Sequence, residues 1–265
     1  MNNPVDLAVK YLEGTQNSNG SWSAGDPLVC ARAIYALSEQ SSSESPINRG
    51  IAYLEGSQLP DGHFPVKTSM YTDAASTAYA LVSLNHFHYS KVSLPVSRGL
   101  IWLLESQQPD GSWSGRNANK NAYTTSLCLR ALHTYYLSGL SKYRKGVAHV
   151  QQKLAEPGFF DEPVSHVYAP VLNLQRIGQL TPAVREAFIS FASQHMNRSI
   201  GAGEIADMAY LCGTLGAIEE SEIREQCACW LQSAGRSDGG FGKNVRSESD
   251  PNWTALVLLS LGNKL

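Results

Sequence analysis

Two kinds of hydrophobic segment alternate along the chain. One kind is amphipathic, with apolar residues at helical spacing on one face, as in AVKYLEG, RGIAYLEG, RGLIWLLES and REAFISFAS. The other kind is apolar nearly all round, as in TAYALVSL, TSLCLRAL and TALVLLSL. Because a helix without a polar face is buried on every side, the second kind is predicted to form an inner layer and the first kind an outer layer.

A sequence repeat connects the two kinds of helix. Its copies read YLEGTQNSNGSW, YLEGSQLPDGHF, WLLESQQPDGSW and WLQSAGRSDGGF, and they start at residues 11, 53, 102 and 230. In each copy a glycine follows the first aromatic residue by nine positions, and a second aromatic residue follows two positions later. The first three copies carry Gln16, Gln58 and Gln107 at one shared position, where the fourth has Gly235. The Pro, Asp and Gly residues of these turns suit a tight reversal between two helices.

The inner segments indicate six units. Aligned on the small residue before each apolar stretch, they are separated by 47, 48, 42, 41 and 46 residues. The aligned positions are Cys30, Thr77, Thr125, Val167, Met208 and Thr254. Six helix pairs predict an all-α fold, a single α/α six-barrel or toroid. No linker or shift in composition interrupts the chain, so residues 1–265 are expected to form one domain.

The repeat resembles a known motif. The pattern G-[IL]-x-[YW]-L-x3-Q-x3-G-x-[WF], which residues 50–64 and 99–113 match in full, resembles the QW repeat of squalene–hopene and oxidosqualene cyclases, the class II terpene cyclases. With one barrel, the chain is similar to members of the merosterolic acid synthase kind. The resemblance implies cofactor-free cyclisation of a polyprenyl chain on a prenylated small molecule, started by protonation of an alkene or epoxide.

The resemblance also directs attention to acids at the start of the inner helices. The family's proton donor lies in a D-x-D-D-T-A motif, and residues 73–78 match it with Asp73 first and Ala75 at the donor position. The fifth inner helix opens similarly, with Glu204 and Asp207. Residues three apart share one helix face, and two neighbouring carboxylates do not readily ionise together, so one is expected to stay protonated. Asp207, or else Asp73, is therefore the candidate acid. Helix capping is the simpler alternative for each.

Histidine and aromatic side chains complete the candidate site. His166 occupies the offset of Asp207 one unit earlier, so it is predicted to orient or reprotonate the acid, unless it has only a structural role. Aromatic faces attract a carbocation by about 1–2 kcal/mol each when desolvated. The preferred lining residues lie near the acidic end of the inner helices, and core packing is their alternative role. They are Tyr123, Tyr168 and Trp253, followed by Tyr71 and Tyr210. The hypothesis requires a dry pocket inside the ring with an uncharged carboxyl group directed into it.

Charge and composition limit the partners and the cellular location that this protein can have. The formal net charge is −2, which argues against a nucleic-acid partner. No apolar run approaches the ~20 residues that span a bilayer, so a soluble protein, at most peripheral to a membrane, is expected. Five cysteines without a framework spacing indicate reduced thiols and a cytoplasmic location.

No metal or cofactor is expected, since the chain has neither a D-D-x-x-D cluster nor a zinc-ligand pattern. Two alternatives to a complete cyclase remain. One is a non-catalytic barrel that binds an isoprenoid or a protein. The other is one subunit of a two-chain cyclase.

Overall fold

Twelve α-helices make up the part of the chain that this computed structural model describes, which is residues 3–40, 44–67, 72–113, 121–218 and 221–262. In chain order they are α1 (Pro4–Gly14), α2 (Pro27–Glu39), α3 (Glu44–Gly56), α4 (Asp73–His86), α5 (Leu94–Ser106), α6 (Asn121–Thr134), α7 (Ser141–Leu154), α8 (Val164–Arg176), α9 (Pro182–Ala202), α10 (Ile205–Ile218), α11 (Glu222–Ser233) and α12 (Pro251–Leu261). A 3-10 turn at Phe159–Asp161 precedes α8. No described residue lies in a β-strand.

The even-numbered helices form a closed inner ring. Each packs against the next, from α2 through α4, α6, α8 and α10 to α12, and α12 returns to α2. The odd-numbered helices pack outside them. Inner helices such as α2 and α12 bury nearly all their residues, whereas the outer α1 buries only Ala8 and Leu12. The predicted α/α toroid is therefore confirmed. Within the described ranges, no helix combines the length and apolarity required to cross a bilayer.

Four of the six aligned residues share one structural role. Thr125 accepts a hydrogen bond at Oγ1 from the backbone N–H of Trp113 over 2.9 Å. Thr77 does the same for Phe64, and Thr254 for Phe241. In the first unit the Cys30 sulfur takes this position opposite the Trp22 N–H, at 3.4 Å. The sequence alignment thus matches equivalent points of the barrel, where a buried N–H requires an acceptor.

The glycine of each repeat allows the turn to approach the next outer helix. Gly111 has φ +88°, and a Cβ there would lie 2.6 Å from the carbonyl oxygen of Lys145 in α7. Gly239 meets the Leu7 carbonyl of α1 in the same way. The last repeat therefore packs onto the first helix, which closes the outer layer as well.

The repeated glutamine connects each turn to the next outer helix through hydrogen bonds. Gln107 donates from Nε2 to the carbonyl oxygens of Gly111 and Lys142, both at 2.8 Å. Gln16 and Gln58 make the equivalent pairs of bonds in their own units. One amide thus satisfies a turn carbonyl and a carbonyl in the first turn of the next outer helix.

Candidate functional site

The inner helices run parallel, so their N-terminal ends share one face of the ring. Near that face, Asp26, the N-cap residue of α2, accepts from the backbone N–H of Lys67, which lies shortly before α4. At the opposite face, Ser38 of α2 and His86 of α4 lie 2.9 Å apart, Oγ to Nε2. Acids that open different inner helices are therefore brought to the same end of the barrel.

Glu204 and Asp207 line an open cleft at this N-terminal face, between the starts of α8 and α10 and the end of α9. The cleft has a volume of about 320 Å³. Its lining residues are Asp161, Glu162, Pro163, Val164, His195, Arg198, Ser199, Ala202, Glu204 and Asp207. Most of these side chains are polar, so the cleft favours water more than a bare prenyl chain.

The electrostatic surroundings of Asp207 favour its protonated form. Burial and then the negative charge of Glu204 raise the pKa of the Asp207 carboxyl group, while the positive charges of Lys243 and His195 oppose the shift without cancelling it. Both causes act against the carboxylate, because a partly desolvated anion beside another anion is costly. Asp207 therefore holds its proton to a higher pH than an ordinary aspartic acid.

His195, which no sequence pattern singled out, lines the cleft of Asp207, whereas His166 does not. His195 stands on the outer helix α9 and stacks on Phe191 with ring centroids 4.0 Å apart. His166 instead places Nδ1 3.2 Å from Glu162 Oε2 and lines a neighbouring cleft of about 120 Å³. Glu162 borders both clefts. A role for His166 at Asp207 stays a prediction.

Asp73 lies at the same face but is engaged with the backbone. It is the first residue of α4, and its Oδ1 accepts from the Val66 N–H over 2.9 Å. Asp26 combines two such bonds, from the N–H groups of Leu28 and Lys67. Asp26 is the N-cap of α2, which is the capping alternative considered for the sequence, whereas Thr72 caps α4 and Asp73 instead binds the connection that precedes that helix.

Three of the predicted aromatic residues meet inside the ring. The hydroxyl groups of Tyr123 and Tyr168 lie 3.2 Å apart, and the rings of Tyr168 and Tyr210 stack with centroids 3.8 Å apart. The three residues are buried. Trp253 is half-buried and packs against the core. Tyr71, also predicted to line the site, lies outside the described residues.

A buried arginine extends this aromatic cluster across the ring. Arg32 of α2 is 1% exposed and donates to Asn252 Oδ1 at 2.8 Å and to the Tyr79 hydroxyl at 2.9 Å. Tyr79, on α4, is also hydrogen-bonded to Tyr168. The sequence carries a signal for Arg32, since it is the one charged residue in the apolar inner segment LVCARAIYAL.

The cavity beside these side chains is small. Its volume is about 20 Å³, and its walls include Arg32, Tyr79, Leu127 and Leu259. Such a space holds about one water molecule. The roomy dry pocket expected from the sequence is not found there, because arginine and tyrosine side chains occupy this part of the interior.

Comparisons with known proteins show the fold and leave the family open. No family model matches the chain, and no curated protein matches it. Among solved structures, a protein from Actinoplanes superposes with a TM-score of 0.72 at 16% identity, covering 98% of both chains.

The type II terpene cyclase MstE from Scytonema is also similar. Its apo structure gives a TM-score of 0.68 at 15% identity, covering 98% of this chain and 97% of that one. A variant in complex with geranylgeranyl dihydroxybenzoate, described as its substrate, gives 0.69 at 14% identity, covering 99% and 96%. The chain thus has the fold of a terpene cyclase over nearly its whole length.

Proposed function

We propose that this protein is a class II terpene cyclase that isomerises a prenylated small molecule, with Asp207 as the proton donor. The observation that carries the proposal is the environment of the Asp207 carboxyl group at the N-terminal face of the inner ring. Burial and the negative charge of Glu204 raise its pKa there. A carboxylic acid in its protonated form is the group that alkene protonation requires. The fold shared with MstE supports the same class.

The reaction is balanced in protons. The Asp207 carboxyl group transfers its proton to a terminal double bond, the resulting tertiary cation is attacked by the next double bond, and a carbon–carbon bond forms. Loss of a proton from the final cation restores a neutral product with the mass of the substrate. His195, which shares the cleft with Asp207, is placed to return a proton to the carboxylate for the next turnover. The negative charge of Glu204, after burial, raises the pKa of Asp207 and so favours its protonated form.

The positive charge of Arg32 decides where a carbocation can form. A cation about 10 Å from this guanidinium is repelled by ~2 kcal/mol at an effective dielectric constant near 20. This repulsion offsets the attraction of one tyrosine face, which is about 1–2 kcal/mol. The cation is therefore expected at the end of the aromatic cluster farthest from Arg32, at Tyr210, and a bound prenyl chain must displace part of that cluster.

The five cysteines are free thiols, and four of them are buried. This supports a reducing compartment such as the cytoplasm. We also propose that residues 1–265 form one domain whose single barrel carries out the whole reaction, without a second chain.

A non-catalytic barrel that binds an isoprenoid is the second candidate. It is favoured by the small cavity beside Arg32 and by Ala75 at the position of the family's proton donor. Such a protein would hold its ligand without changing it. Binding without conversion is therefore the outcome that distinguishes it from a cyclase.

The test is incubation of the purified protein with geranylgeranyl dihydroxybenzoate and with farnesylated phenols. A cyclase yields a product of unchanged mass and shifted chromatographic retention. Asp207→Asn is expected to abolish turnover, whereas Asp161→Asn, in the same cleft, keeps it. Turnover that survives Asp207→Asn removes the assigned acid. A wild-type protein that binds these compounds and converts none of them is a binding module.

A further inference from the structure

The connections that follow the inner helices α4 and α6, residues 87–93 and 135–140, expose apolar side chains to solvent. Because α4 and α6 run parallel and pack side by side, both connections lie at the C-terminal face of the ring, opposite the Asp207 cleft. Within the described ranges, five of the exposed large apolar residues belong to this part of the chain, and they are Val92, Leu94, Ile101, Tyr136 and Leu140. Val92, Leu94, Tyr136 and Leu140 lie on or directly after the two connections and form what we call the apolar rim.

Tyr136 is 89% exposed and has a backbone conformation that disfavours a side chain. It follows α6 with φ +61°, and the next N–H, that of Leu137, bonds to the Leu132 carbonyl oxygen at 3.0 Å. The same turn follows α8, where the equivalent residue is Gly178 with φ +70°. Glycine is the usual residue at this position, because a Cβ is strained in the left-handed region. An exposed tyrosine gains almost no packing in return, so the stability of the fold does not account for Tyr136.

The same part of the chain is basic. Residues 74–155 include nine Lys and Arg residues and two acids, although the whole chain carries a net charge of −2. Lys91 precedes Val92, and exposed bases occupy three of the first five positions of α7, at residues 142, 144 and 145. The start of a helix is the positive end of its dipole, which favours acids and disfavours bases. The stability of α7 therefore does not account for these charges either.

The local contacts of these bases leave their charges in place. Lys142 Nζ donates to the Leu104 carbonyl oxygen, and Arg144 Nη1 donates to the Gly139 carbonyl oxygen at 3.0 Å. Both acceptors are neutral groups. The ion pairs found among the described residues involve other side chains. The apolar rim is thus bordered by positive charge.

We propose that the C-terminal face of the ring docks on a lipid bilayer that contains anionic lipids, with the apolar rim in the headgroup region and the bases at the lipid phosphates. Exposed apolar side chains flanked by bases bind peripheral proteins to such membranes through both burial and charge. Tyrosine suits this interface, because its ring is apolar and its hydroxyl group is polar. This orientation also keeps Glu204 and Asp207, at the opposite face, away from the lipid phosphates. The proposal stands on this surface alone and does not depend on cyclase activity.

Vesicle co-sedimentation tests the docking surface. The vesicles contain either phosphatidylcholine alone or phosphatidylcholine mixed with anionic phosphatidylglycerol. The wild-type protein is expected to bind the mixed vesicles more tightly, and added salt should weaken that binding because it screens the attraction. Arg144→Gln combined with Lys145→Gln should weaken it about 25-fold, since each base near an anionic surface contributes about fivefold. Lys10→Gln combined with Arg246→Gln removes the same charge from other exposed positions and should weaken it much less.

Variants of the apolar rim separate docking from folding. Tyr136→Gly relieves the left-handed strain, so it should unfold at a temperature no lower than the wild type and yet bind the mixed vesicles several-fold more weakly. Val92→Ser should also weaken binding. Val245→Ser is the matched control, because Val245 is exposed and its N–H bonds to Gly203 beside the Asp207 cleft, so this variant should bind like the wild type.

The proposal is refuted if the protein binds neither kind of vesicle, if it binds both equally well, or if the rim variants and the glutamine variant all bind like the wild type. Self-association without lipid that is lost in the rim variants, measured by light scattering, would assign the surface to a second copy and overturn the proposal. Docking is measured without a substrate, so its failure leaves the proposed cyclisation standing, and a failure of cyclisation leaves docking standing.

Discussion

The glutamine that fastens each turn to the next outer helix allows a sharp test of the repeat. Gln107 and Gln108 are adjacent, but only Gln107 donates two short hydrogen bonds, to Gly111 and Lys142. Gln108 is exposed and makes one longer bond, 3.3 Å, to Ser106. Replacing each in turn by alanine removes the same side-chain atoms from neighbouring positions, so the difference in stability isolates the two bonds.

The size of the effect follows from the surroundings of the two acceptors. The bond to Gly111 is partly buried and contributes about 1–1.5 kcal/mol, whereas water replaces part of the exposed bond to Lys142, leaving ~0.5 kcal/mol. Gln107→Ala should therefore lower the free energy of unfolding by about 1.5–2 kcal/mol. For a chain of this size that shift corresponds to a fall in Tm of roughly 3–8 °C.

Urea denaturation followed by tryptophan fluorescence measures the difference. We expect a lower midpoint with an unchanged slope for Gln107→Ala, and a midpoint within error of the wild type for Gln108→Ala. Gln107→Glu should destabilise further at pH 7, because a carboxylate then faces two carbonyl oxygens, and should recover on acidification as the carboxyl group regains a donor. Equal midpoints for the two alanine variants would refute the role assigned to Gln107.

Three further outcomes are expected, each measured by denaturant unfolding. Gly111→Ala should lower the free energy of unfolding by more than ~2 kcal/mol, because alanine at φ +88° is strained and its Cβ would clash with a backbone carbonyl oxygen. Gly139→Ala should change it little, because no atom lies within 4 Å of a Cβ at that position. Thr125→Val should lower the free energy of unfolding by about 1–3 kcal/mol, because the buried Trp113 N–H loses its acceptor. Thr125→Ser keeps the hydroxyl group and should retain most of the stability. Equal losses in the two variants would contradict the role of the Thr125 hydroxyl as this acceptor. Asp207→Asn should be more stable than the wild type at neutral pH. The raised pKa of Asp207 means that wild-type stability falls as pH rises above the ordinary aspartate pKa of about 3.9, so the advantage of the variant should vanish below that pH.

The candidate site was only partly accessible to sequence reasoning. The family resemblance pointed to acids at the start of the inner helices, and the structure places two of them, Glu204 and Asp207, in one cleft at the N-terminal face. The histidine in this cleft was not apparent, because His195 lies on an outer helix that carries no copy of the motif. Its helix α9 is 21 residues long, and the part near its end reaches the start of α10. Periodicity among inner helices carries no information about such a contact.

The sequence alone determined the class of fold, because an apolar helix, a glycine turn and a spaced aromatic residue recur in register. Those features are local, and each helix pair can bury its apolar surface only by packing against the next. Tertiary structure decided which polar groups meet inside the ring. Asp73 is engaged by the Val66 backbone, and Arg32 reaches Tyr79 across 47 residues of chain. Such encounters depend on how six helices close around one axis, and that closure brings together side chains whose spacing along the chain does not predict their contact.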